Sequence, residues 1–266
     1  MTELLAPAKL NLALVVGARR PDGKHEVVTV LQRITLADTV ILEPASTLEV
    51  EGFREDTMVR SALERLAAAA GVEPRWRASI EKRIPVAAGL GGGSSDAAAA
   101  LRLGNDSLER PLAEHRLHAL AAELGADVPF FLTTGPQLGE GDGTILTPLD
   151  ISQDYWIVLV MPQGGRKASS GAVYKEFDRR GGEPGFDERR AALRKALVLG
   201  DLAALPPNDL ASSPLAGELV ERGAFRADVT GAGPAVYGLF AEEADAVAGQ
   251  VALAPRGDVW VAGPAW

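Results

Sequence analysis

Residues 85–95 read Pro85-Val86-Ala87-Ala88-Gly89-Leu90-Gly91-Gly92-Gly93-Ser94-Ser95, and the alanine-rich residues that follow predict a helix. Glycine lets the backbone adopt positive φ angles and approach an anion closely, while a helix N-terminus presents unpaired N–H groups and a positive dipole end. The two serines add hydroxyl donors or a metal ligand. The stretch therefore predicts a phosphate-binding loop. The alternative is an exposed loop in which a serine merely caps the helix.

Two better-known phosphate loops are excluded by the residues around this stretch. A P-loop carries a lysine directly before its Ser or Thr, whereas Gly93 precedes Ser94 here. A dinucleotide-binding fingerprint needs a glycine three places after its second glycine, and this chain has Ser94 at that position. The loop therefore belongs to neither of these two classes.

Composition limits the possible partners and compartment. The chain has 266 residues, of which 47% are hydrophobic, so one large or two modest domains are expected. A net charge of −9 argues against nucleic acid or an anionic membrane as the main partner, and the absence of cysteine excludes disulfides and thiolate chemistry. No signal-peptide pattern occurs in residues 1–14 and no apolar run has membrane-spanning length, so a cytoplasmic protein is expected.

The alternation of apolar residues predicts an α+β fold with strands and helices intermixed. Predicted strands include 10–16, 26–31 and 39–43, and the predicted helices include Met58–Ala70 and 112–124. A boundary near Asp150 would divide the chain into domains 1–150 and 151–266.

Three further segments carry candidate functional residues. Lys9 and Asn11 lie two residues apart on a predicted strand, so their side chains share one face; a lysine that merely ends in water is the alternative. Asp127, two residues before Pro129, is a candidate base in phosphoryl transfer or simply a helix N-cap. The turn at residues 230–235 allows close backbone approach to a phosphate or to the glycine loop, although a plain β-turn explains it equally.

Together these segments resemble the GHMP kinase superfamily. More narrowly, residues 7–12, the turn at 22–25, and residues 84–95, 124–131, 141–148 and 230–233 are similar to the bacterial kinase family of the non-mevalonate isoprenoid pathway. The Pro-Ala-Lys-Leu-Asn-Leu start and the Gly-Ala-Asp-Val-Pro segment carry the narrower resemblance, and the match covers most of the chain.

The resemblance implies a fold and an activity. The fold would be the two-domain GHMP kinase fold, with an N-terminal ribosomal-S5-domain-2-like half, a C-terminal ferredoxin-like half and the active-site cleft between them. The reaction would be ATP-dependent phosphorylation of the 2-hydroxyl of 4-diphosphocytidyl-2-C-methyl-D-erythritol by a monomer or homodimer. The alternatives are a GHMP kinase for another small alcohol, of the homoserine or mevalonate type, and a non-catalytic nucleotide or sugar sensor.

The resemblance also implies catalytic and nucleotide-binding roles. Asp127 would take the proton from the substrate hydroxyl, and Lys9 would stabilise the oxygen that attacks the γ-phosphate. ATP would contact Lys82 and Asp56 near adenine, where Asp56 replaces the family's usual asparagine. Mg²⁺ would bind mainly through the phosphates, with Ser94 or Ser95 as further ligands. The phosphates themselves would lie in the loop Pro85, Val86, Ala87, Ala88, Gly89, Leu90, Gly91, Gly92, Gly93, Ser94 and Ser95.

The cytidyl substrate would be bound by a separate set of residues. His25 would form hydrogen bonds to the cytosine edge and Tyr174 would stack on the base. Without the resemblance, a surface histidine and a core tyrosine are the alternatives. Lys24 stands where family members usually carry an aromatic residue. Either its charge would reach the substrate diphosphate instead, or the second stacking face for the base would be lost. The full implied set is Asn11, Lys24, His25, Ser170, Tyr174, Thr230, Gly231 and Gly233.

Overall fold

The computed structural model describes residues 1–53, 58–165 and 169–265. Its strands are β1 (Thr2–Arg19), β2 (His25–Pro44), β3 (Glu49–Glu51), β4 (Trp76–Glu81), β5 (Gln137–Gly141), β6 (Ile145–Pro148), β7 (Trp156–Pro162), β8 (Arg226–Val229), β9 (Val236–Phe240), β10 (Gly257–Ala262) and β11 (Pro264–Ala265). Its α-helices are α1 (Met58–Ala70), α2 (Gly92–Asp106), α3 (Glu114–Leu124), α4 (Val128–Leu132), α5 (Ser170–Arg179), α6 (Phe186–Leu199), α7 (Pro214–Glu221) and α8 (Glu243–Leu253).

The first of two compact units contains residues 1–8, 36–53, 58–85 and 91–134. In it, the C-terminal part of β2 pairs antiparallel with β4, and β3 pairs parallel with β4. Helix α1 packs on α2 through Leu63 and Leu66, and a Cβ at Gly104 would lie 2.6 Å from Leu66 Cδ2. The apolar residues of α1 recur three and four places apart and are buried, which confirms the predicted helix.

The second unit contains residues 9–35, 86–90, 135–165 and 169–265. Its antiparallel four-stranded sheet has the order β10-β7-β9-β8, and residues 157–160 of the inner strand β7 are fully buried. This sheet packs against apolar residues of α7 and α8, including Leu219 and Ala246. Elsewhere in the unit, β5 pairs with the N-terminal part of β2 and with β6, and β11 pairs with β2.

Strand β2 is continuous where the sequence predicted two strands. The polar residues Gln32 and Arg33 interrupt its apolar pattern, yet both are buried. Gln32 Nε2 donates to the carbonyls of Arg33 and Ala265, and Arg33 Nη1 donates to the Gly135 carbonyl at 3.0 Å. Because buried polar groups are tolerated when they are hydrogen-bonded, the strand continues through this region.

The mixture of helices with these sheets confirms the predicted α+β class. The compact units interleave along the chain, and the domain boundary near Asp150 stays a prediction. Strands β3, β5 and β11 and helices α4, α7 and α8 were not predicted. In α8 the buried positions are Ala246, Gly249 and Leu253, whose small side chains make a weak apolar pattern. Across the described ranges, no helix combines the length and apolarity needed to cross a membrane.

Candidate active site

Lys9 and Asn11 share one face of β1, as the strand period predicted. Lys9 Nζ donates to Asn11 Oδ1 at 2.5 Å, and Lys9 is only 4% exposed. Asn11 Nδ2 donates to Thr29 Oγ1 at 2.8 Å, and the Thr29 hydroxyl donates to the Ala13 carbonyl at 2.7 Å. The interpretation of Lys9 as a lysine that ends in water is therefore wrong. Its ammonium is held inside the unit by a chain of polar side chains that includes Thr29, which the sequence did not indicate.

The first half of the glycine loop, residues 86–90, is hydrogen-bonded to this strand and to the turn at residues 230–235. The Lys9 N–H donates to the Leu90 carbonyl at 2.9 Å. On the turn, the Ala235 N–H donates to the Ala88 carbonyl at 3.1 Å. These backbone bonds place the predicted lysine, the loop and the turn in one assembly.

Glycine makes the close approach within this assembly possible. A Cβ at Gly89, where φ is +88°, would lie 2.5 Å from the Thr230 carbonyl oxygen. A Cβ at Gly231 would lie 3.4 Å from Lys9 Nζ, and the Thr230 Oγ1 accepts the Asn11 N–H at 3.0 Å. Thr230 and Gly231 therefore pack directly against the catalytic candidate Lys9 and its partner Asn11.

The turn itself is closed by backbone hydrogen bonds. The Gly233 N–H donates to the Thr230 carbonyl at 3.0 Å, and Gly233 adopts a φ of +69°. The Thr230 N–H donates to the Ala235 carbonyl at 3.0 Å. The turn is thus an ordinary tight turn in its own bonding, and the contacts described above show that it also approaches the loop.

The second half of the glycine loop leads into α2 in the first unit. Gly91, with a φ of +70°, occupies the N-cap position, and within the described residues no side chain caps this helix. The alternative in which Ser94 or Ser95 caps α2 is therefore wrong. Ser95 Oγ is buried and forms no hydrogen bond to any described residue. A hydroxyl at a helix start can donate to a bound anion or ligate a cation, and this role for Ser95 stays a prediction.

Lys82 lies at the base of the same loop and is held by two carboxylates. Its Nζ donates to Asp38 Oδ2 at 2.5 Å and to Asp96 Oδ2 at 2.7 Å. Asp38 Oδ1 also accepts the N–H groups of Arg83 and Ile84, at 2.5 and 2.8 Å. The carboxylate of Asp38 thereby fixes the backbone that enters the loop. A contact of Lys82 with adenine stays a prediction.

Burial and the hydrogen bonds between the charged groups have opposite effects on the pKa values in this cluster. Burial raises the pKa of the Asp96 carboxyl to about 7, and the neighbouring Asp38 adds to the rise, although hydrogen bonds from Lys82 lower it. Burial lowers the pKa of Lys82, but its hydrogen bonds to Asp38 and Asp96 outweigh this and leave the pKa raised. The Phe53 ring centroid lies 5.7 Å from Lys82 Nζ. The sequence did not indicate Phe53, and Asp56 lies outside the described residues.

Asp127 directly precedes α4, and its side chain is half-buried. Among the described residues its carboxylate forms no capping hydrogen bond to that helix, whose first turn contains Pro129. The backbone closes the turn instead, because the Val128 N–H donates to the Gly125 carbonyl at 3.1 Å. Asp127 thus occupies the N-cap position that the alternative expected, but its side chain does not cap the helix, and its role as a base stays a prediction.

His25 begins β2 and its ring is enclosed by residues of α5. The ring stacks on Tyr174 with centroids 4.9 Å apart and meets the edge of Phe177 at 6.0 Å. Its Nε2 lies 2.6 Å from Asp178 Oδ1. With 7% of its surface exposed, His25 is a buried residue and not the surface histidine that a loop position suggested.

The neighbouring predicted substrate residues differ in their surroundings. Lys24 Nζ forms an ion pair with Asp142 Oδ2 at 2.5 Å. Burial disfavours the Asp142 carboxylate, but hydrogen bonds from Lys24 and Thr144 outweigh it and lower the pKa to about 2. The charge of Lys24 is thus balanced within the second unit. Ser170 is the exposed first residue of α5, whose N-cap is Ser169.

The residues of the loop fit a triphosphate with its cation. In the first unit, the positive-φ backbone of Gly91, the start of α2 and the unpaired Ser95 hydroxyl are groups of the kind that phosphate oxygens or Mg²⁺ would meet. Within residues 1–53, 58–165 and 169–265, no cluster of three or more His, Asp or Glu side chains has a metal-binding arrangement. A cation here would therefore depend largely on the oxygens of the nucleotide.

Comparisons with known proteins identify the family of this chain. Residues 57–135 match the family model of the GHMP kinases N terminal domain. The chain is 42% identical over 264 residues to the 4-diphosphocytidyl-2-C-methyl-D-erythritol kinase of Nocardia farcinica, covering 91% of this chain and 85% of the relative. It is 39% identical over 260 residues to the kinase of the same name from Geobacter metallireducens, covering 91% and 90%.

Solved structures give the same result. A crystal structure of 4-(cytidine 5'-diphospho)-2C-methyl-D-erythritol kinase superposes with a TM-score of 0.83 at 32% identity, and each chain is covered completely. Homoserine kinase from Cytophaga hutchinsonii has a TM-score of 0.75 at 16% identity, covering 98% of this chain and 94% of that one, which is a likeness of fold. The identities over most of its length show that this chain belongs to the 4-diphosphocytidyl-2-C-methyl-D-erythritol kinase family of GHMP kinases.

Proposed function

We propose that this chain transfers the γ-phosphate of ATP to the 2-hydroxyl of 4-diphosphocytidyl-2-C-methyl-D-erythritol, with Mg²⁺ bound to the nucleotide. The observation that carries the proposal is the buried Lys9, whose ammonium is held at 2.5 Å by Asn11 beside the glycine loop. A buried ammonium is costly to maintain, and a structural role alone gives little reason to place one against a phosphate-type loop. Membership of the kinase family supports the same substrate.

The proposed chemistry assigns one proton and one phosphoryl transfer. Asp127 accepts the proton of the 2-hydroxyl while that oxygen forms its bond to the γ-phosphorus. The bond from the γ-phosphorus to the bridging oxygen breaks, and ADP leaves. Lys9 supplies positive charge to the attacking oxygen and the transferring group. Positioning and electrostatics provide most of the rate in such reactions. Convergence of Lys9 and Asp127 on one hydroxyl is part of the proposal.

The glycine loop is proposed to hold the triphosphate. Backbone N–H groups at the start of α2 and the hydroxyls of Ser94 and Ser95 would contact phosphate oxygens. Mg²⁺ supplies charge neutralisation on those oxygens when it is bound. The bonds of Asp38 to the N–H groups of Arg83 and Ile84 support this role, because they hold the entry to the loop in one conformation.

The cytidyl group is proposed to bind near His25 and Tyr174. The buried His25 ring is held in one orientation by Asp178 and Tyr174, so its free edge can contact the base. Lys24, whose charge is balanced by Asp142, would lie at the side of the base that family members usually cover with an aromatic ring. The turn residues Thr230, Gly231 and Gly233 would contact the methylerythritol part.

The test is turnover with defined alcohols. The purified protein is incubated with ATP, Mg²⁺ and 4-diphosphocytidyl-2-C-methyl-D-erythritol, homoserine or mevalonate, and ADP release is followed in a coupled assay. We expect turnover with the cytidyl substrate alone, and phosphorus NMR of the product should place the new phosphate on the 2-hydroxyl. Faster turnover with homoserine or mevalonate would replace the proposed substrate, and ADP release with none of the three would refute the kinase activity.

A further inference from the structure

The environment of His25 contains a carboxylate that no sequence pattern indicated. Asp178 lies in the last turn of α5, and its Oδ1 is 2.6 Å from His25 Nε2. The His25 side chain is only 6% exposed, whereas that of Asp178 is 42% exposed. The short contact therefore joins a buried ring to a carboxylate that reaches solvent.

This contact determines which ring nitrogen of a neutral His25 carries the proton. An ionised carboxylate can only accept hydrogen bonds, so Nε2 must be the N–H that donates to Asp178. The other nitrogen, Nδ1, is then left with a lone pair. Among the residues that the structure describes, His25 has no side-chain hydrogen bond other than that of Nε2 to Asp178. In this tautomer the free edge of His25 is an acceptor.

The aromatic neighbours keep that edge in one direction. Tyr174 stacks on one face of the ring with an interplanar angle of 23°, and Phe177 meets the ring at 90°. Both come from the same helix as Asp178, so one element fixes the tautomer and the plane of the ring together. A ring flip would exchange Nε2 for a carbon and lose the bond to Asp178.

We propose that Asp178 is a positioning residue that sets the base specificity of the site, by making His25 Nδ1 an acceptor for the exocyclic amine of cytosine. The inference rests on the proposed function, because it assumes that His25 contacts the base. Cytosine presents an N4 amine donor at the position where uracil presents an O4 acceptor. An acceptor at Nδ1 would accept a hydrogen bond from the N4 amine of cytosine and would repel the O4 oxygen of uracil. Asp178 would therefore favour cytidine diphosphates over uridine diphosphates.

Two variants and one matched control test the role of Asp178. Asp178→Asn can turn its amide to donate to Nε2, which moves the ring proton to Nδ1. Asp178→Leu removes the acceptor altogether. Glu176→Gln is the control, because Glu176 is an acid on the same helix whose hydrogen-bonded partner is Arg179. Dissociation constants for CDP and UDP are measured by calorimetry, and kcat and KM are measured with the cytidyl substrate.

We expect the wild type and Glu176→Gln to prefer CDP over UDP by about tenfold or more. In Asp178→Leu the preference should fall by about three- to tenfold, the usual worth of one hydrogen bond. KM should rise while kcat at saturation stays within about twofold, since no reacting atom is touched. A preference retained in both Asp178 variants would overturn the inference.

A spectroscopic measurement on the wild type keeps the inference testable even if a variant misfolds. The chain has three histidines, so a sample with ¹⁵N-labelled histidine contains three ring systems. His115→Gln and His118→Gln, on α3, identify the remaining signals as those of His25. We expect a single proton on Nε2 at pH 8. A proton on Nδ1, or on both nitrogens, would refute the proposed tautomer.

The two proposals fail in different ways. If the wild type neither binds CDP nor phosphorylates the cytidyl substrate, the proposed function is wrong. If the wild type does both and the Asp178 variants keep the full preference, only the specificity role is wrong.

Discussion

Thr29 holds the amide of Asn11 in one orientation, and that orientation presents Oδ1 to Lys9. Thr29→Val keeps the shape of the side chain but leaves Asn11 Nδ2 buried without its acceptor, which costs about 1–3 kcal/mol. The amide is then free to rotate and to present its NH₂ group to the ammonium. We expect kcat to fall about tenfold with KM for ATP unchanged, measured by steady-state kinetics.

Thr29→Ser is the control for this prediction because it retains the hydroxyl. It should keep kcat within about twofold of the wild type. A Val variant with normal kcat, or a Ser variant as slow as the Val variant, would show that the hydroxyl does not act through Asn11.

A substitution of Asp127 is the most direct test of the proposed base. Asp127→Asn removes the proposed base without changing the size of the side chain, so kcat should fall by about 10²–10⁴, the usual worth of a positioned general base. ATP affinity should stay nearly unchanged, because the proposed contacts to the phosphates are backbone groups and hydroxyls of the glycine loop. Steady-state kinetics and nucleotide calorimetry measure the two quantities. A kcat within about threefold of the wild type would remove Asp127 from the mechanism.

At the scale of elements, the glycine loop and the turn at 230–235 approach so closely that a side chain cannot fit. Gly89→Ala would place a Cβ 2.5 Å from the Thr230 carbonyl oxygen and would also strain a φ of +88°. We expect the free energy of unfolding to fall by about 2–4 kcal/mol. The rate of phosphate transfer should fall as well, since the loop must move. Urea unfolding and kcat are the measurements.

Gly223→Ala is the control for Gly89→Ala, because it introduces backbone strain without a steric collision. Gly223 has a φ of +99°, but a Cβ there would meet no atom within 4 Å. The free energy of unfolding of this variant should fall by only about 1–2 kcal/mol, the cost of left-handed backbone for an L-residue. Equal losses in the two variants would contradict the close approach of the loop and the turn.

At the scale of the whole molecule, we expect the cluster of Lys82, Asp38 and Asp96 to make the free energy of unfolding depend on pH. Burial raises the folded-state pKa of Asp96 from 3.8 to about 7. Between about pH 4 and pH 7 the folded state therefore binds this proton more tightly than the unfolded state, so the contribution is favourable at low pH and is lost as pH rises. Asp96→Asn cannot titrate and should lack this dependence.

We expect the stability of the wild type, relative to Asp96→Asn, to decrease by about 1–3 kcal/mol from pH 4.5 to pH 8. Urea denaturation at each pH measures this difference, and the contributions of groups that do not interact with Asp96 cancel. Parallel stability curves for the two proteins would show that Asp96 is ionised throughout, with Lys82 fully compensating its charge.

The elements that could be predicted were those with strong local patterns. The apolar spacing in residues 58–70 is enough to define α1, and the run of glycines before an alanine-rich segment marks the start of α2. Strand β2 was divided wrongly, because Gln32 Nε2 and Arg33 Nη1 donate to the carbonyls of Ala265 and Gly135, which are more than a hundred residues away. Local composition carries no information about such partners.

The residues of the candidate site also fall into those that a local pattern predicted and those that it did not. Lys9 and Asn11 were placed on one face because a strand alternates its side chains every two residues. Asp38, Asp142 and Asp178 were missed, although each holds a predicted site residue. The separation between Asp178 and its partner His25 is 153 residues, and that between Asp142 and its partner Lys24 is 118.

The sequence by itself determined the chemistry that is available: a glycine-rich loop at a helix start, a strand lysine next to an asparagine, and membership of a kinase family. Only the tertiary structure decided which carboxylate pairs with Lys82, Lys24 and His25. It also decided that the Lys9 side chain is buried and does not end in water. The physical reason is that backbone conformation and side-chain alternation are set by near neighbours. Burial and hydrogen-bond partners depend on strand register and helix packing between segments far apart in the chain.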